Sequence, residues 1–230
     1  MRRHSSHGFT LIEILTVIVV ILIIAAFVVN AAGLAQRKAA RARATGEIAA
    51  MSTACESYKA DNGSYPRQPG ITEADDTGKG GGGDSPIDPK KHGNPASQNY
   101  QKASQYLYIE LSGDKDLNGR LNGASEPTKG YMNFDKNQLG TTKDATGTIT
   151  KVNYIQDPFG VSYGYSTAGA KAEEDFRAAV ASQGAKASPR GSDSPGYNPT
   201  FDLWSTGGAK VPAANQPITD LDHNQWVKNW

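Results

Sequence analysis

Gly8-Phe9-Thr10-Leu11-Ile12-Glu13, followed by ILTVIVVILIIAAFVV over residues 14–29, decides how the rest of the chain is read. In that run Thr16 is the only polar residue. From Phe9 to Val29 the segment is roughly 31 Å long as an α-helix, enough to cross the hydrocarbon core of a bilayer. One carboxylate, Glu13, interrupts it. At such a depth a carboxylate costs on the order of 2.5–3.5 kcal/mol on insertion scales, so its default reading is functional and it requires a cation. None lies within a helical turn on its C-terminal side. A chain cut after Gly8 supplies one, the new α-amino group of Phe9, on the same helix or on a neighbour. The competing reading is an ordinary secretory signal, cut at Ala25-Ala26 or Ala31-Ala32-Gly33, which would discard the run.

The residues before the run, Met1-Arg2-Arg3-His4-Ser5-Ser6-His7-Gly8, are short, basic and polar. G-F-T-L-I-E opening an unbroken apolar run this close to Met1 resembles the type III signal of type IV pilins and type II secretion pseudopilins. The resemblance implies that a prepilin peptidase cuts between Gly8 and Phe9 and methylates the new terminus. It also implies that Glu13 meets the terminal amine of an adjacent subunit during assembly. Many members carry Pro at the position of Asn30 and Gly at that of Leu22, so the usual kink or melted stretch is not expected here. Arg37, Lys38, Arg41 and Arg43 follow the run and outnumber Arg2 and Arg3 before it, which on charge bias alone places the C-terminal part in the cytoplasm. The resemblance implies the reverse, and a specific leader outweighs a statistical bias. The basic cluster is then an expected contact for lipid headgroups or for acidic residues of a neighbouring subunit.

Composition narrows the function classes. The 230 residues carry 24 Lys+Arg against 23 Asp+Glu, a net charge of +1, which argues against nucleic-acid binding through bulk charge. A single cysteine excludes an internal disulfide and a Cys₄ or Cys₂His₂ zinc site. No Ser/His/Asp set or carboxylate pair stands out, and Lys79–Gly83 lacks the Lys-Ser/Thr of a phosphate loop. An enzyme is not expected.

Beyond the run, the helix pattern continues to the turn Asp61-Asn62-Gly63-Ser64-Tyr65-Pro66, so one helix of roughly 80 Å is predicted from Phe9 to Asp61. Ala44, Ile48, Met51, Cys55 and Tyr58 form an apolar stripe expected to pack on the chain's own sheet, with Cys55 as a small buried apolar residue. Helices are predicted over 101–111 and 171–182, the second with Phe176 and Val180 on one side. Strands are predicted over 131–134, 148–155, 162–166 and 200–205 from their β-branched and aromatic content. Gly/Pro-rich insertions are expected at 67–99 and 184–199. Asp157-Pro158-Phe159-Gly160-Val161-Ser162-Tyr163-Gly164-Tyr165 resembles the D-P-W-G-x-x-Y-x-Y hairpin of major pseudopilins. Phe201-Asp202-Leu203-Trp204-Ser205-Thr206-Gly207 resembles their F-D-L-x-S-x-G strand. Plain hairpin chemistry accounts for the same residues, and the two readings are compatible.

One candidate metal site comes from spacing. Asp114-Lys115-Asp116-Leu117-Asn118-Gly119 places oxygen ligands at alternate positions and Gly at the sixth, as at the opening of a calcium loop. The closing carboxylate belongs at Ser125, and Glu126 is one place late. An Asx-rich turn after a helix is the plain alternative. The pseudopilin resemblance implies a second calcium position after the F-D-L-x-S-x-G strand. Ala209 stands where the pattern places Asp, leaving Asp220 and Asp222 as the carboxylates within reach.

The expected fold is therefore α+β and pilin-like: a long N-terminal helix, half transmembrane and half amphipathic, packed on a small antiparallel sheet. The expected organisation is a leader at 1–8, a transmembrane and assembly helix at 9–30, an amphipathic continuation at 31–62, and a periplasmic domain at 63–230. The implied function is a structural subunit of a periplasmic pseudopilus in type II protein secretion, held by one pass in the bacterial inner membrane. Its implied partners are copies of itself in a helical homopolymer, minor pseudopilins, prepilin peptidase and an inner-membrane assembly platform. A type IV pilus pilin at the cell surface and a membrane-anchored periplasmic binding protein are the alternatives.

Overall fold

A computed structural model describes residues 10–67, 87–91, 93–119, 129–184, 191, 193–211 and 223–230, excluding the side chains of residues 28–32 and 183. The expected boundaries at Gly8 and Phe9, most of the 67–99 insertion, and the carboxylates Asp220 and Asp222 lie outside these residues. The chain divides into two compact units, Met1–Ala40 and Arg41–Trp230. Helix α1 (Leu11–Asn62) supplies residues to both.

In the first unit α1, apart from Glu13 and Thr16, is apolar all round over residues 11–27. Its large side chains are exposed, from Leu11 at 85% to Phe27 at 73%. A helix with no continuous polar face favours an apolar surrounding, which the described residues do not supply. No helix among the described residues is long and apolar enough to cross a membrane. The expected span at 9–30 extends past the described side chains at both ends.

The second unit is α+β, as expected. Here α1 turns one face inward, burying Ala44, Ile48, Met51, Ala54 and Cys55, with Tyr58 packed at the edge. Burial pushes the Cys55 thiol far above its ordinary range, so it is an inert core residue. The helix stops where Gly63, at φ 77°, donates its amide to the carbonyl of Lys59 at 2.8 Å. That is the left-handed exit glycine permits and other residues resist. Helix α2 (Gln98–Ser112) adds Leu107, Tyr108 and Leu111 to the same core. It starts three residues before the predicted Gln101 and ends on Gly113 at φ 82°.

The strands form two small antiparallel sheets. In the first, β1 (Leu139–Lys143) pairs with β2 (Ile149–Ile155). The connecting turn is held by Asp144 Oδ1, which accepts the amides of Thr146 and Thr148 at 2.9 Å each. In the second, β3 (Gly164–Ser166), β4 (Asp202–Ser205) and β5 (Val227–Lys228) lie in that order. All four residues of β4 are buried, because both its faces are covered. Leu203 joins the core beneath α1, while Trp204 enters a second cluster with Ile87, Tyr100, Ala103 and Trp226. His223 is packed on Trp226 at 4.2 Å between ring centroids, consistent with a structural role.

Two sequence expectations require correction. Residues 131–134 are not a strand: the amides of Tyr131 and Met132 both donate to the carbonyl of Leu111, satisfying the end of α2. Helix α3 (Ala168–Gln183) exists and begins earlier than predicted, yet Val180 stays 42% exposed and its apolar side is not core.

Candidate functional site

Three groups of residues carry chemistry, and they lie on different elements.

At the start of α1, Thr10 and Glu13 form a reciprocal cap. Glu13 Oε2 accepts the Thr10 amide and the Thr10 hydroxyl, each at 2.8 Å, while the Thr10 hydroxyl receives the Glu13 amide at 3.3 Å. A Ser/Thr followed three residues later by Glu is the capping-box pattern, here opening directly onto the apolar run. The sequence reading misses it, although T-L-I-E carries the signal. The cap aims the Glu13 carboxylate at the N-terminal end of the helix, where the amide dipoles favour negative charge. The next turn is self-contained, since the Thr16 hydroxyl donates to the Glu13 carbonyl at 2.9 Å.

The second group joins the two quoted C-terminal motifs. In the turn after β2, Asp157 Oδ1 accepts the amides of Phe159 at 2.9 Å and Val161 at 3.0 Å, and Gly160 takes φ 86°. Its Oδ2 receives the hydroxyl of Ser205, which in turn accepts the Gly207 amide at 3.0 Å. Gly207 and Gly208 are at φ 65° and 81°, and a Cβ on Gly207 would lie 2.0 Å from the Gln225 carbonyl oxygen. Arg41 donates one guanidinium N–H nitrogen to the carbonyls of Gly207 at 3.2 Å and Gln225 at 2.6 Å. Arg43 pairs with the buried Glu47 at 2.7 Å, which also accepts the Tyr163 hydroxyl at 2.7 Å. Two of the four cations expected to meet lipid or neighbours are therefore committed within this unit. Burial raises the Asp157 carboxyl above its ordinary range, against the opposing pull of its three donors.

The third group is the turn after α2. Asp114 is buried, and its Oδ2 accepts the Tyr108 hydroxyl at 2.6 Å and the Gly119 amide at 2.8 Å. Asp116 accepts the amide and side-chain nitrogen of Asn118 at 3.2 and 2.6 Å. The structure thus brings Asp114, Asp116 and Asn118 into one turn. Burial, then the neighbouring Asp116 carboxylate, raises the Asp114 carboxyl above its usual range. Among the described residues no group of three or more His, Cys, Asp or Glu converges on one point. Ser125 and Glu126 lie outside the described residues.

Comparison with known proteins bears on the first group. Residues 3–29 match the family model described as the prokaryotic N-terminal methylation motif. The chain is 44% identical over 66 residues to a type II secretion system core protein G of Klebsiella michiganensis, covering 29% of this chain and 46% of that one. It is 35% identical over 102 residues to the protein of the same name from Pseudomonas aeruginosa, covering 44% and 63%. A third relative of that name, from Aeromonas hydrophila, is 38% identical over 66 residues, covering 29% and 46%. The chain spans less than two thirds of the length of each of these relatives. No solved structure matches it.

Proposed function

We propose that this chain, similar to the type II secretion pseudopilins in its methylation motif and in its core protein G relatives, is a structural subunit of a periplasmic pseudopilus acting in type II protein secretion. The observation that carries the reading is the N-terminal element itself: a leader-type junction at Gly8-Phe9, one carboxylate at Glu13, and an apolar helix whose large side chains, from Leu11 to Phe27, are exposed. Prepilin peptidase cuts after Gly8 and methylates Phe9. Residues 9–30 hold the subunit in the inner membrane until assembly, residues 31–62 continue the stem, and residues 63–230 form the periplasmic domain.

Assembly is helix packing. Stems from many copies bundle, the apolar surface of residues 11–27 moves from lipid to neighbouring stems, and Glu13 sets the axial register through the Phe9 amine of an adjacent subunit. A head-to-tail contact that does not close by rotation grows as a helical filament. The capping box supports this role, because it points the carboxylate toward the end of the helix where the new amine arises. Minor pseudopilins and an inner-membrane platform are the proposed partners, and the role is non-enzymatic. Deleting the gene in its own bacterium tests the reading. Loss of secreted proteins from the medium is expected; intact secretion with loss of surface filaments would instead make it a type IV pilus pilin.

A further inference from the structure

The turn after α2 contains a buried charge that the fold leaves incompletely matched. Both Oδ2 contacts of Asp114 are accounted for, but Oδ1 is fully buried and has no hydrogen-bond partner among the described residues. Asp116 and Asn118 lie in the same turn, where the Asn118 amide reaches Asp116 at 3.2 Å. An unpaired buried carboxylate oxygen is costly, and either a proton or a cation would match it. The donor chemistry favours the cation. Asp114, Asp116 and Asn118 offer only oxygen ligands at alternate positions, the arrangement hard divalent ions prefer.

The backbone holds these ligands in place. Leu117 takes φ 61°, and its carbonyl accepts the Val152 amide of β2 at 2.7 Å. The Asp114 amide donates to the Ser112 hydroxyl at 3.1 Å at the end of α2. A ligand bound here would tie α2 to β2.

We propose that Asp114, Asp116 and Asn118 form a divalent-cation site of the calcium class, in which Oδ1 of Asp114 is the buried ligand oxygen reserved for the ion. The proposal involves neither Asp220 nor Asp222 and does not depend on the assembly role.

Terbium luminescence of the full-length protein in detergent tests it. The Tyr108 hydroxyl lies 2.6 Å from Asp114, so exciting tyrosine should sensitise a terbium ion bound in this turn. The expected result is a saturable signal that excess calcium displaces. Asp116→Ala should weaken the terbium affinity on the order of tenfold or more, and a double Asp220→Ala, Asp222→Ala variant should leave it unchanged. Asn118→Ala is the second variant if Asp116→Ala fails to fold, and it should weaken binding in the same direction. No sensitised signal, a signal that calcium does not displace, or a signal lost only in the Asp220/Asp222 variant would overturn the proposal.

Discussion

The Ser205 hydroxyl donates to Oδ2 of Asp157 at 2.5 Å, joining the turn after β2 to the end of β4. Asp157 is buried and receives two further amides, so this hydroxyl completes its set of donors. Ser205→Ala should therefore lower unfolding stability by about 1–3 kcal/mol, because it leaves a buried carboxylate oxygen unmatched. Denaturant unfolding of the detergent-solubilised chain measures it. An unchanged midpoint would mean that water or local movement replaces the hydroxyl.

Two glycines should respond oppositely to alanine. Gly164 faces Trp204 across β3 and β4, and a Cβ there would sit 2.1 Å from the indole. Gly164→Ala should destabilise the second unit by about 1–3 kcal/mol through overpacking. Gly46 lies within α1, where a Cβ would meet nothing within 4 Å, and Gly46→Ala should add about 0.5–1 kcal/mol. Thermal melts of the two variants beside the parent chain decide both signs.

Asp202 gives a pH dependence of unusual sign. Burial pushes its carboxyl up to about 6 from an ordinary 3.8, despite amides from Tyr197 and Asn198 at 2.8 Å each. Nearby Asp88 raises it further and Lys90 opposes. Between those two values the folded chain binds the proton more tightly than the unfolded chain does. Stability from this group is therefore present in acid and lost as pH rises toward 6, by on the order of 2 kcal/mol. Asp202→Asn should remove that portion of the slope whatever its absolute stability. Parallel pH profiles of parent and variant would contradict the assignment.

The parts of the fold set by local chemistry are legible in the sequence. The stripe from Ala44 to Tyr58, the exit at Gly63 and the turn at Asp157–Gly160 each follow from spacing or from a residue's own conformational limits. What escapes is decided by distant partners. Tyr131–Phe134 has strand-like residues, but two of its amides are used to finish α2. Strand β1 is poor in apolar residues and exists because β2 pairs with it. Arg41 and Glu47 have the spacing of solvated charges, yet the fold brings carbonyls at Gly207 and Gln225 to the first and the Tyr163 hydroxyl to the second. Thr10 escapes because a lone carboxylate in an apolar run draws attention to its charge, not to its place as half of a cap.

That cap makes Glu13 testable in two ways at once. Glu13→Gln keeps an acceptor for the Thr10 amide and removes the charge; Glu13→Leu removes both. If the charge pairs with the Phe9 amine of a neighbour, both variants should insert, be cleaved and fail to assemble. Breaking one half of such a buried pair costs roughly 3–5 kcal/mol per added subunit. Glu13→Asp should be intermediate, with the charge held one methylene short. Sheared-filament yield, beside membrane-fraction levels, measures each. Normal filaments from Glu13→Gln would reduce the residue to a helix cap.

The most direct test of the central claim is the intact mass and N-terminal sequence of the protein extracted from membranes of its own bacterium. A mature chain beginning at Phe9 and carrying one N-methyl group is the result expected for a processed pseudopilin subunit. A terminus after Ala26 or Ala32 would contradict the account, because the apolar stem would then be a discarded secretory signal, and a chain retaining Met1 through Gly8 would make it an uncleaved anchor.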